Sequence, residues 1–163
     1  MKEYNEYYQR NKQLDKMYDE RYRDVVSNLY EKNCLELIVE ICEFANESKC
    51  FKYWTIKKPN RSLLLEEYAD CLSMLFCIFN VNDIDDVMVL DIELSDDILL
   101  IFNEMIRMCT LLMDKGNVDK KLLLKIFTYL LHVGKLLDIS DRELLDACYM
   151  KLGKNIERLN SDY

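Results

Sequence analysis

The stretch SLLLEEYADCLSMLFCIFN, residues 62–80, changes character at Asp70. Up to that point it carries Glu66, Glu67 and Asp70; beyond it the side chains are apolar almost all round. A helix with no polar face has to be buried, in a core or against another subunit. The acids at its entrance are therefore poorly solvated unless something compensates them, and a metal ion would do so.

The rest of the chain reads as helix too. Leu14, Met17, Tyr18, Tyr22, Val25, Val26 and Leu29 form a stripe that predicts a first helix over about Asn11 to Tyr30. Asn33 with Glu36 resembles a capping box and predicts the start of a second helix, with Leu37, Ile38, Ile41, Phe44 and Ala45 facing the core. Ser62 is the expected cap of the third helix, which runs to about Phe79, and Ser95 that of a fourth, which Gly116 stops. The segment from Asn80 to Leu94 fits an extended piece or a short helix equally well. A fifth helix is expected from about Asp119 to Leu137, and Ser140 with Glu143 opens a last one. With 3 Gly and a single Pro in 163 residues, little else competes. The expectation is an all-α bundle of about six helices, one domain over residues 1–163.

A net charge of −8 speaks against a general nucleic-acid binder, which needs a basic surface. An anionic small substrate stays open, because a bound cation reverses the local sign. The 7 Cys are odd in number and show no CxxC spacing, so reduced thiols are expected rather than disulfides or zinc. The polar N-terminus lacks the apolar stretch of a signal peptide, and no run approaches the ~18 apolar residues of a membrane span. A cytoplasmic protein without membrane contact is the expectation.

Glu40 and Glu43, like Glu67 and Asp70, stand three residues apart, which places each pair on one helical face. Two such helices side by side aim four carboxylates at one point, the oxygen-rich arrangement that Mg²⁺ takes up when phosphate completes its shell. Glu36, Glu40, Glu43 and Glu47 step along one side of the second helix, so a solvated acidic face is the plain alternative. Between the pairs lies SKCFKYWTIKKPNR, with the only Trp, the only Pro and five bases. Its Lys52 and Trp54 suit a nucleotide, although Phe51 and Trp54 could equally plug the core. His132 sits in an apolar run and reads as a core or interface histidine, and no P-loop or dinucleotide fingerprint is present. What the carboxylates allow is metal-assisted hydrolysis of a polyphosphate, with Glu43, one turn nearer the loop, as the general base.

E-x-x-E followed by E-x-x-D, set in LELIVEICEFANESKCFKYWTIKKPNRSLLLEEYADCLSMLF, closely resembles the central block of the dimeric, all-α dUTPases within the MazG-like NTP pyrophosphohydrolase superfamily. A second block agrees: Lys151, Asn155, Arg158 and Tyr163 stand at the spacing of the family's terminal K-x-x-x-N-x-x-R pattern and its Tyr. From Asn80 to Ile139 the likeness is only that both are helical.

The resemblance implies Glu40, Glu43, Glu67 and Asp70 as ligands of Mg²⁺, and Lys52 and Trp54 in a loop over the nucleotide. It implies Lys151 and Arg158 on the phosphates and Asn155 on the uracil edge, where its amide offers one donor and one acceptor. Asn11 stands where the family commonly has Gln, with Gln9 and Gln13 on either side, and Asp162 replaces a common Gly. The implied reaction is hydrolysis of dUTP, and of dUDP, to dUMP by a homodimer. The Cys71–Phe79 run and the Leu122–Leu131 helix are the expected dimer faces. A related enzyme acting on dCTP or several NTPs is the alternative, and a non-catalytic helical binding module the third. No regulatory protein partner can be read from the sequence.

Overall fold

The computed structural model describes residues 1–22, 24, 27–115 and 119–161, positions 114 and 115 by backbone alone. Val25, Val26, Gly116, Asp162 and Tyr163, each used in the sequence reading, lie outside the described residues. Among the described residues there are six helices: α1 Lys2–Tyr22, α2 Leu29–Ser48, α3 Arg61–Val81, α4 Ile98–Lys115, α5 Lys120–Leu136 and α6 Asp141–Asn160. No strand occurs among the described residues, and none of their helices is long and apolar enough to cross a membrane.

The structure moves several helix ends. α1 starts at Lys2 because Tyr4, Tyr7 and Tyr8, at helical spacing, are all buried. Their hydroxyls stay satisfied: Tyr4 donates to Asp141 Oδ1 at 2.9 Å, Tyr8 donates to the Ile84 carbonyl at 2.7 Å, and Tyr7 bonds Ser73 Oγ at 2.6 Å. A segment that reads as polar is thus an aromatic stripe with its polar tips paired.

Asn33 caps nothing. α2 begins behind Asn28, whose backbone is left-handed (φ 57°), and Asn33 lies within the helix. Asn60, not Ser62, caps α3, accepting from the backbone N–H of Ser62 and Leu63. Asp97, not Ser95, caps α4, accepting from Leu99 and Leu100 at 2.9 and 3.3 Å. Where several capping side chains crowd together, hydrophobic pattern alone does not choose among them. Asp119 and the Ser140–Glu143 capping box stand where the pattern puts them. Residues 84–95 carry neither helix nor strand and are pinned by buried Ile84 and Val87, and by the Leu90 N–H donating to Thr128 Oγ1 at 3.0 Å.

α3 is the central element, packed against α1, α2, α5 and α6. Leu72, Leu75, Phe76, Ile78 and Phe79 are fully buried, as are Leu123, Phe127 and Leu130 of α5. The two runs expected to face a partner subunit are instead the core of the chain itself, because each has helices on both sides. Phe44 stacks on Tyr68 with ring centroids 4.7 Å apart and planes 4° apart, which sets the register of α2 against α3. α5 passes close to the same ring at Gly134, where any Cβ would collide with Tyr68. Arg61 Nη2 donates to Glu143 Oε1 at 2.7 Å and to the Asp138 carbonyl at 2.8 Å, tying the start of α3 to the turn before α6.

Candidate active site

The Phe44–Tyr68 stack decides which carboxylates meet. Glu40 lies one turn before Phe44, and Glu67 and Asp70 flank Tyr68, so antiparallel α2 and α3 bring the three acids together. One oxygen from each of Glu40, Glu67 and Asp70 falls within 4.8 Å of the others. Glu43 is not one of this group. It is exposed, one turn further along α2, and near enough that its charge raises the pKa of Glu67.

Burial and mutual repulsion both act on the cluster. Burial is the larger cause of Glu40 being pushed up to about 7, followed by the charges of Asp70 and Glu43. Burial likewise raises Glu67, with Glu43 and Asp70 adding to it. Asp70 is raised by burial even though Lys151 Nζ donates to its Oδ2 at 2.6 Å. No described residue donates a hydrogen bond to Glu40 or Glu67. Carboxylates that are desolvated, close together and short of donors hold their charge only at a cost, and a divalent cation removes that cost. The donor set, all carboxylate oxygen, is that of a hard cation. A solvated acidic face does not describe Glu40, Glu67 and Asp70, which are all half-buried.

Beside the cluster opens a cavity of about 470 Å³ between α1, α2, α3 and α6. α6 lines it with Lys151, Asn155 and Arg158, one cation at the carboxylate end and one at the rim. Arg158 is exposed, and its charge lowers the pKa of Asp70. Asn11 also lines the cavity, but its amide is 2% exposed and donates to the Ser73 carbonyl at 3.3 Å and to Cys77 Sγ at 3.5 Å. It fastens α1 to α3. Gln9 and Gln13 are exposed and border no part of the cavity.

Lys52 and Trp54 do not line the cavity either. Trp54 is 64% exposed and packs edge-on to Phe51 and Tyr53, while Lys52 Nζ sits 5.8 Å from the Phe51 ring centroid. Nor do these aromatics plug the core, since Phe51 is itself exposed. Sequence reasoning missed Asp15, which accepts from Cys77 Sγ at 3.0 Å and from Asn80 Nδ2 at 3.1 Å on the cavity wall. It also missed Asn33, whose apparent capping motif hid a place on the same wall. His132 Nε2 meets the Ser95 carbonyl at 2.9 Å, an anchor for the segment before α4.

An all-α bundle that gathers acids from two antiparallel helices, beside a cavity with cations on a third, could hold a divalent cation next to an anionic ligand. A family model described as dUTPase matches residues 3–163, including the middle region where no shared words were visible, and the chain belongs to that all-α family. It is a dUTP diphosphatase. No curated protein matches it.

Proposed function

We propose that the protein converts dUTP, and also dUDP, to dUMP in a Mg²⁺-dependent reaction, with pyrophosphate as the product released from dUTP. The observation that carries this is the group of half-buried carboxylates Glu40, Glu67 and Asp70, within 4.8 Å of one another at the mouth of a nucleotide-sized cavity. Bound Mg²⁺ supplies charge neutralisation of the polyphosphate and a water of lowered pKa.

The chain's own groups do the rest. Glu40, Glu67 and Asp70 would hold the cation, and Glu43, the exposed member one turn on, would complete the set and take the proton of the attacking water. Lys151 Nζ donates to Asp70, and its ammonium would stabilise the charge that develops on the phosphate oxygens. Arg158 supports it from the rim. Asn155, one turn beyond Lys151 on the same wall, sets its amide against the O4 and N3–H of uracil. Lys52 and Trp54, away from the cavity, join the site only when a nucleotide is bound.

The protein acts in the cytoplasm as a homodimer. Its cysteines are free thiols. The exposed Leu35 and Val39 of α2, with Leu99 and Leu100 of α4, supply an apolar surface for a second copy. One observation favours a second reading, a pyrophosphohydrolase with broader base preference that takes dCTP or several NTPs: Asn11, at the position of the family's Gln, is committed to α3. Pyrophosphate release from dUTP, dCTP, dTTP and UTP with Mg²⁺ separates the two. A strong preference for dUTP supports the first reading, and equal rates would leave only the second.

A further inference from the structure

Asn33 is 7% exposed, lines the cavity, and makes no side-chain hydrogen bond to any described residue. No side-chain nitrogen or oxygen among the described residues is both fully buried and unpartnered, so the Asn33 amide keeps access to the cavity, where a ligand can pair with it. The neighbouring polar groups do not compete for that role. The Asn11 amide donates into α3, and both Asp15 oxygens accept, from Cys77 and from Asn80.

Position along α2 says which part of a ligand Asn33 meets. It lies seven residues, about 10 Å of helix, from Glu40. Glu36 stands between them on the same wall, at its solvent side. A nucleotide with its phosphates at Glu40 and Asp70 extends its sugar and base along this wall, toward the end lined by Leu29, Tyr18 and Val81. Tyr18, Tyr22, Leu29 and Val81 offer a flat ring apolar and aromatic surface beside Asp15 and Asp19, and the Asn33 amide is the hydrogen-bonding group that α2 adds.

We infer that Asn33 is a base-reading residue, donating its carboxamide N–H to the second lone pair of the pyrimidine O4, beside Asn155, which takes the N3–H. This rests on the dUTP reading above. Two amides from different helices would then take over the discrimination that Asn11, turned to α3, does not supply. An amide N–H that donates to O4 meets the amino donor of cytosine instead.

The test is the ratio of kcat/KM for dUTP over dCTP in wild type, Asn33→Ala and Asn33→Asp, with thermal melting as the structural control. Asn33→Ala should lower kcat/KM for dUTP roughly ten- to hundred-fold, while that for dCTP changes much less, so the ratio collapses. Asn33→Asp, which keeps the shape but only accepts, should tilt the ratio further toward dCTP. Both variants are expected to melt close to wild type, because Asn33 has no partner in the fold to lose. If either folded variant keeps the wild-type ratio, the inference is overturned while dUTP hydrolysis stands. A wild type that does not distinguish dUTP from dCTP would instead remove the dUTP reading on which the inference rests. Should Asn33→Ala fail to fold, an unchanged ratio in Asn33→Asp is enough to reject it.

Discussion

Asp15 and Glu40 are two carboxylates on the walls of one cavity, and both are held above the ordinary acid range chiefly by burial. What surrounds them differs. The next causes at Asp15 are hydrogen bonds from Cys77 and Asn80, and both pull its pKa back down. At Glu40 every further cause is another carboxylate, and all of them push upward. Asp15 is satisfied by the fold and joins α1 to α3. Glu40 is left wanting a cation. Burial alone therefore does not mark a functional acid; burial without a donor does. Glu143 shows the opposite limit. Half-exposed and bonded by its neighbours, it is pulled down to about 2 by the Ser140 backbone and by Arg61, and it serves the cap of α6.

The widest separation between the two acids should come from removing each. Glu40→Gln should cost turnover of dUTP on the order of 10²–10³, the scale for losing a group that stabilises developing charge, while the variant stays folded. Asp15→Ala should leave the Cys77 thiol and the Asn80 amide unpaired and lower stability by about 1–3 kcal/mol. For a chain of this size that is a fall in Tm of about 2–4 °C per kcal/mol, read by circular dichroism. Equal stability losses for the two variants would break the distinction between them.

Proton linkage gives a smaller effect with a definite sign. Glu40 has its pKa raised from 4.5 to about 7, so its contribution to stability is present below pH 4.5 and is lost as pH rises through 7. Chelator-treated protein should therefore melt higher at pH 6 than at pH 8. In Glu40→Gln that difference should shrink. Added Mg²⁺ should also shrink it for the wild type, by favouring the ionised cluster. A wild-type melting temperature that rises from pH 6 to pH 8 would contradict the charge repulsion assigned to the cluster.

How much of this was legible beforehand follows from what helical spacing can encode. Glu40 with Glu43, and Glu67 with Asp70, were visible as faces because each pair lies on one helix. The Ser140–Glu143 box was visible because its partners are three residues apart. Register between helices leaves no such mark. The Phe44–Tyr68 stack selects Glu40, Glu67 and Asp70 and leaves Glu43 outside the group, which no spacing announces. The Asp15–Cys77–Asn80 and Asn11–Ser73 contacts join residues more than sixty positions apart. The N-terminal tyrosines were hidden by polarity, since their hydroxyls are paired only after α6 and the 84–95 segment are in place. Lys52 and Trp54 were placed near the site by sequence proximity, yet their loop turns outward.

Everything said of Glu40 rests on its need for a cation, and pyrophosphate release from dUTP tests that need directly. Wild-type protein stripped with EDTA should show no turnover and recover it when Mg²⁺ is added in excess, whereas Glu40→Gln should stay on the order of 10²–10³ below wild type even in excess Mg²⁺. Turnover that continues in EDTA, or a Glu40→Gln variant as active as wild type with Mg²⁺, would contradict a metal site built on Glu40, Glu67 and Asp70.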